Sequence, residues 1–393
     1  MKKLLPLSLL ALSSLLYADM STQEFLYKDS RIMGMGAANT AVGGYSTAVF
    51  YNPAGLINIK KSHGVEAEIL GLNISGSQDA KTFYDDFKDA ETDQEKLDVI
   101  KQHAGEVYTI NASNYTSVSY HTENDLVFSI GLLVGADVTL LPHTYGGVNG
   151  ILETHSRAYG GVILGIAQKY NDVMGGDLTV GLGLKYIKQN SYEVGLDEGE
   201  VTAHKDDLST YVQDTYEVEN SGFGADIGVL YEPYILEGWH PALGLSVMNL
   251  GNLNFDDVYG AQPTTFNAGV SISPEVSFLN SLVVAVDYVD ITNEQQARVR
   301  NYNPYRAKDQ YDSVGIKNDP IQHIRAGLKL GLFDNSWITT TLNGGLYEGA
   351  YTAGFDLQLT LLKIQFATYQ EQLGAESGQI EDRRYVVGLG LGW

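Results

Sequence analysis

Ten ionisable side chains sit inside otherwise apolar, extended-looking stretches: Glu66, Glu68, Lys185, Asp226, Asp287, His323, Arg325, Lys329, Asp356 and Lys363. Alternate side chains of a strand point to opposite faces, which puts these groups opposite the apolar set. On a lipid-facing wall each would cost about 2–4 kcal/mol near the bilayer midplane. On an inner wall they line a polar lumen. A lysine or arginine there can grip a carboxylate ligand, or brace whatever fills the interior. Asp226, Asp287, His323, Arg325 and Lys329 are the lumen candidates. Asp287 and Arg325 lie five residues from the periplasmic ends of consecutive strands, so antiparallel pairing predicts a hydrogen-bonded ion pair between them.

Other chemistry is absent from the pattern. The eight histidines show no H-x-x-x-H or H-E-x-x-H spacing, which leaves zinc unsupported. There is no G-x-S-x-G elbow, no Walker phosphate loop and no cysteine. Asp206-Asp207 and Asp256-Asp257 lack EF-hand spacing and read as solvated turns. The chain is read as a non-enzyme with no catalytic residues, no cofactor and no metal.

The elements that carry the ten groups are strands. In one stretch Leu178, Val180, Leu182, Leu184 and Tyr186 oppose Thr179, Gly181, Gly183 and Lys185. In another, Phe223, Ala225, Ile227, Val229 and Tyr231 oppose Gly222, Gly224, Asp226 and Gly228. Such patterning predicts strands over 62–75, 113–121, 126–138, 155–170, 177–191, 221–232, 241–250, 264–273, 282–291, 320–330, 338–346, 350–360, 362–371 and 383–393. Connections after odd strands are mostly long (76–112, 139–154, 192–220, 251–263, 292–319, 372–382), and those after even strands are short. Outer-membrane barrels have this asymmetry of long external loops and short periplasmic turns; soluble sandwiches have no reason for it. Tyr385, Val387, Leu389, Leu391 and Trp393 form an apolar face that ends on an aromatic, as the closing strand of such a barrel would. The same strand resembles the signal read by barrel-assembly machinery, a predicted partner along with outer-membrane lipid.

Bulk properties agree. The chain has 393 residues and a net charge of −23, which disfavours nucleic acid as a partner. A mean hydropathy of −0.12 is too low for a helical membrane protein but not for a barrel with polar lumen and loops. Residues 1–18 read as a signal peptide: Lys2 and Lys3, then an apolar core from Leu4 to Leu16, with Ala18 before the cut.

Residues 19–60 break the strand pattern. Arg31, Met33, Gly34, Met35, Gly36 and Ala37 are followed by Tyr51-Asn52-Pro53-Ala54-Gly55-Leu56. Glycine permits close backbone packing, and Pro53 restricts the turn. This ordered combination resembles the N-terminal hatch of the FadL-type superfamily of outer-membrane barrels, which includes long-chain fatty acid and aromatic-hydrocarbon channels and TraF-like and PorV-like relatives. The resemblance implies an all-β fold, a 14-stranded antiparallel transmembrane barrel over 61–393 with residues 19–60 as a plug in its lumen. Arg31, Gly34, Gly36, Asn52, Pro53 and Ala54 are the hatch candidates. It also implies passive uptake of hydrophobic small molecules such as long-chain fatty acids across the outer membrane of a Gram-negative-type bacterium. The alternative is a structural or secretion- or conjugation-associated barrel without transport. Gly131 and Gly135 mark a possible bulge, with Pro142 nearby, where a ligand could leave sideways into the membrane. Phe83, Phe87, Leu97 and Ile100 give loop 76–112 a helical apolar face, readable as a lid or as an ordinary packed helix.

Overall fold

Fourteen antiparallel strands close on themselves in a computed structural model that describes residues 20–21, 25–60, 64–147, 150–204, 207–301 and 311–393. The predicted signal peptide lies outside the described residues. The strands are β1 (Val65–Ser77), β2 (Tyr108–His121), β3 (Leu126–Gly147), β4 (Gly150–Val173), β5 (Gly176–Leu196), β6 (Val218–Pro233) and β7 (Ala242–Gly251). They continue as β8 (Thr265–Ile272), β9 (Ser281–Tyr288), β10 (Ile324–Asp334), β11 (Ile338–Tyr347), β12 (Ala350–Leu359), β13 (Leu362–Gln372) and β14 (Glu381–Gly392). β14 pairs with β1, setting Val387 opposite Ile74 and Leu391 opposite Leu70. Beyond the last ladder pair, the backbones of Trp393 and Ala67 exchange two hydrogen bonds of 3.0 Å.

The wall has an apolar outside and a small or polar inside. Leu132, Val134, Leu182, Leu184, Phe223 and Leu245 are exposed on the outer face, while the intervening Gly181, Gly183, Lys185 and Asp226 are buried. A closed sheet leaves no unpaired edge, and an apolar outer band is what a bilayer requires. Replacing Trp393 with Asp should put a charge beside the closing seam at the membrane interface. The expected outcome is loss of heat-modifiable barrel from the outer membrane, read by unheated gel electrophoresis.

Three strands run well past the membrane. β3, β4 and β5 have 22, 24 and 21 residues, where about 9–11 tilted residues span the hydrocarbon. The stretches predicted as loops at 139–154 and in the first part of 192–220 are therefore strand. Their outer ends bury Ile151, Val194 and Leu196 against α4 (Glu198–Ala203) and α5 (Leu208–Tyr216), with Leu97 and Ile100 joining the cluster. The first loop folds as α2 (Ala80–Asp89) and α3 (Asp93–Gln102), the latter opened by a Thr92–Glu95 capping box. The apolar helix faces are packed: Phe83 stacks on Tyr108, and Ile100 is fully buried. They do not lie open as a landing surface.

Loop 292–319 also carries structure. Gln296–Arg300 and Tyr311–Gly315 form a small external sheet to which Met20–Ser21 adds a third strand. The predicted strand at 320–330 begins with a helical turn, α6 (Pro320–His323), and β10 starts only at Ile324. Pro320 at the first helical position and Asp319 accepting from the Ile321 amide, 3.0 Å, explain the turn.

Candidate functional site

Residues 25–60 fill the lumen. α1 (Ser30–Gly34) touches β11 to β14, and the 3-10 turn Pro53–Asn58 touches β3 to β6. Only a segment inside the barrel can reach both walls. The chain enters at the external sheet through Met20–Ser21 and leaves at the other end, where Lys60 pairs with Asp334 at 2.7 Å.

Local chemistry shapes the plug. Asp29 caps α1 by accepting from the Arg31 amide at 2.9 Å, and the same carboxylate binds the Arg31 guanidinium and the Thr47 hydroxyl. Arg31 lies 4.0 Å over the Tyr45 ring. Lys329 reaches that ring from the wall and donates to its hydroxyl at 2.5 Å. Asn52 holds the Pro53 turn by accepting from the Ala54 amide at 3.0 Å. Its amide nitrogen donates to Thr40 O at 2.6 Å and to Val229 O of the wall at 3.1 Å.

The inner-face glycines of the strands are seats for this plug. A Cβ at Gly34 would lie 2.8 Å from Gly354 Cα. Gly36 has φ +67° and would drive a Cβ into the backbone oxygens of Ala326 and Leu346. Gly181 and Gly228 give way to Pro53-Ala54 and Asn52 in the same manner. Thr352 Oγ1 donates to Gly34 O at 2.9 Å, Ser246 Oγ to Tyr51 O at 2.9 Å and Ser271 Oγ to Ala41 O at 2.9 Å. These wall hydroxyls carried no motif, so sequence reasoning missed them. The alternation of glycine with apolar residues was the one available signal.

The predicted charges are placed as follows. Asp287 does face Arg325 across the β9–β10 ladder, but the expected ion pair is replaced by two other engagements. Asp287 Oδ2 accepts from the Asn39 and Thr40 amides of the hatch, 2.7 Å each. Arg325 lies over the Tyr347 ring at 4.1 Å and reaches Glu348 at 3.3 Å and Gln322 O at 2.7 Å. The exposed amides of a turn in the plug compete for the carboxylate, and a stacked guanidinium points along the wall. Asp226 pairs with Lys185 at 3.0 Å and accepts from the Asn249 amide, at 2.8 Å, where β7 bulges against β6. His323 is buried but belongs to α6 at the external rim, bonded to Val289 O and Asn293, not to a strand in the lumen wall. Of the five lumen candidates, Asp287 and Lys329 touch the hatch.

Asp287→Ala would leave two buried amides without an acceptor. Hydrogen bonds to a charged group contribute about 1.5–3 kcal/mol. The expected outcome is an unchanged barrel with a hatch cleaved faster by protease around residues 36–44.

Gly131 and Gly135 do not form the predicted bulge. Both pair in unbroken register with β2 and β4. Their missing side chains instead admit aromatic rings from the inner face: a Cβ at Gly131 would strike the Tyr115 ring, and one at Gly135 the Tyr159 ring. The irregularity on this side of the barrel lies one strand away. The β1–β2 register slips between Glu68 and Leu72, and side chains replace the missing ladder bonds. Asn114 accepts from the Gly71 amide at 3.0 Å, and Thr116 donates to Ile69 O at 3.0 Å. Hatch Tyr27 donates to Gly71 O at 3.1 Å from within. Tyr27, Phe50 and Tyr115 pack behind this seam.

A void of about 10 Å³ lies between Phe25, Leu26, Phe50, Lys185 and Met248, and another of about 10 Å³ beside Asn293, His323 and Glu348. Each is about the room one water needs. On the outer wall a largely apolar groove of about 780 Å³ is floored by Ala112, Ala136, Ala158 and Gly160 and rimmed by Val134, Lys188 and Asn190. It lies on the other side of the backbone from Tyr159. Among the described residues no group of three metal-binding side chains converges.

This is a membrane-spanning barrel with a plugged lumen. Its fold is that of outer-membrane hydrocarbon channels. It matches a mutant of the TodX monoaromatic hydrocarbon channel with a TM-score of 0.54 at 10% identity, over 94% of this chain and 99% of that one. It matches the toluene transporter TbuX of Ralstonia pickettii with 0.53 at 13% identity, over 93% and 97%. For the CymD monoaromatic hydrocarbon channel the values are 0.51 and 11%, over 92% and 96%. No family model matches the sequence, and no curated protein matches it. The fold is thus the one implied by the hatch resemblance.

Proposed function

We propose that the barrel takes up hydrophobic small molecules by passive diffusion, with residues 25–60 as a gate that must shift for each passage. The observation that carries this reading is the construction of the plug. It is a separate segment seated in glycine notches and tied to the wall by side-chain hydrogen bonds. A barrel of this size needs filling if it is not to be an aqueous pore, and this filling excludes water while remaining detachable. The fold supports the ligand class, since monoaromatic hydrocarbon and toluene channels share it. Within that class, long-chain fatty acids and small aromatic hydrocarbons are the two candidates.

The exit is sideways. The groove outside Gly135 and Gly160 opens on the outer wall toward its external edge, with Lys188 and Asn190 at the rim, and Tyr159 closes the inner side of the same backbone. Ala136→Trp would fill the groove without touching the lumen. Uptake of radiolabelled toluene or oleate by cells carrying this barrel alone should fall, while heat-modifiable barrel remains at wild-type level. Unchanged uptake would remove the groove from the path.

One observation favours a second reading, a structural or secretion-associated barrel. The void between hatch and wall beside Phe25, Leu26 and Phe50 holds about 10 Å³, room for a water and not for a ligand. Absence of uptake of both probes by the unmodified barrel would select that reading.

A further inference from the structure

The periplasmic ends of β4 to β9 do more than turn the chain. The connection between β6 and β7 presents Tyr234, Ile235, Leu236 and Trp239 to solvent. Met174 and Phe278, on the flanking turns, are 92% and 82% exposed. Turn residues of an ordinary barrel are short and polar, and contiguous exposed apolar surface marks a protein or membrane contact.

These turns are laced into one platform. The Tyr234 amide donates to Gly175 O at 2.8 Å, and the Tyr231 hydroxyl to Met174 O at 2.9 Å. On the other side the Ser273 amide donates to Trp239 O at 2.8 Å, and the Glu275 amide to Gly238 O at 2.9 Å. Three separate turns therefore hold a fixed arrangement before anything binds, which lowers the ordering cost of association.

Charge decides between a lipid and a protein occupant. Membrane-apposed apolar patches are rimmed by lysine and arginine, because phospholipid surfaces are negative. This platform is rimmed by Asp172, Asp177, Glu232, Glu237 and Glu275. Lys169 is held by Asp177 at 2.8 Å and Glu232 at 2.9 Å, and His240 lies 3.2 Å from Glu275. The interface aromatics of the strands proper, Tyr170 and Phe333, lie closer to the wall than the turn residues that follow them. We propose that this acidic-rimmed apolar platform docks a periplasmic protein with a basic face around an apolar centre. Aromatic anchors would supply the attachment and the carboxylates its orientation. The inference is independent of what the lumen conducts.

The chain has no cysteine, so single Leu236→Cys and Phe278→Cys variants can be placed in nanodiscs of phosphatidylethanolamine and phosphatidylglycerol and treated with a membrane-impermeant maleimide. The expected result is labelling as fast as at an exposed control, Glu123→Cys. Protection equal to that of a lipid-facing Leu184→Cys variant would overturn the proposal in favour of immersion in the bilayer. In cells, a photo-crosslinking residue at position 236 should give a discrete protein adduct. Glu237→Lys combined with Glu275→Lys should abolish it, and Thr360→Lys, on the turn between β12 and β13, should not. No protein adduct, or one indifferent to the charge reversal, would also overturn the proposal.

Discussion

Gly36→Val should open the barrel without unfolding it. Gly36 is one of the points where the hatch backbone lies directly on the wall backbone. Its φ of +67° disfavours any β-branched residue, and a Cβ would meet the backbone oxygens of Ala326 and Leu346 and the Leu346 amide. Backbone atoms of a closed sheet cannot give by rotating a side chain, so the strain falls on the hatch. Holding a non-glycine residue in such a conformation costs about 1–3 kcal/mol before any clash. The first half of the plug is held by buried apolar packing of Ile32, Met33, Met35 and Ala37 and by buried hydrogen bonds, among them Thr352 to Gly34 O and the Asn39 and Thr40 amides to Asp287. The overlap falls on wall backbone atoms, so the hatch packing around Gly36 has to give before the sheet does. The wall has its own continuous ladder and should survive. The expected readout is steady ion conductance in planar bilayers where the wild type is closed, with heat-modifiable mobility retained. A closed Gly36→Val barrel with an unchanged proteolysis pattern would mean that the hatch is not held by this fit.

The sequence carried the barrel well because the barrel rests on the simplest pattern. Each of the fourteen predicted strands overlaps an observed one, and the period-two alternation that identified them is the wall's division into lipid and lumen faces. Strand ends were less legible. β3 to β5 continue outward beyond the bilayer, where the outer face no longer needs to be apolar and the alternation fades into Lys188 and Asn190. The apolar residues there face a second core built with α3 to α5, and nothing local reveals a partner so distant in sequence.

The site was legible in register but not in bonding. Asp287 and Arg325 do lie opposite each other, since pairing follows from strand direction and turn position. What each side chain does with its charge depends on a third segment inside the lumen, and that competition has no local signature. Gly131 and Gly135 show the same limit. A glycine in a strand marks either a bulge or a close neighbour. Here the neighbours are Tyr115 and Tyr159, one on each flanking strand. The slip in β1 near Gly71 depends on Asn114, Thr116 and Tyr27, all distant in sequence.

The most direct test of a moving hatch is to pin it. Ser117 of β2 donates to Ser46 of the plug with the two Oγ atoms 2.8 Å apart, both side chains are buried, and the chain has no competing cysteine. Ser46→Cys with Ser117→Cys places two thiols where a disulfide can close with little movement. The measurement is uptake of labelled toluene and oleate by cells bearing the double variant, fully oxidised and then reduced, with each single variant as control. A hatch that must shift predicts that uptake stops on oxidation and returns on reduction while the barrel stays in the outer membrane. Normal uptake through the fully oxidised barrel would contradict the account.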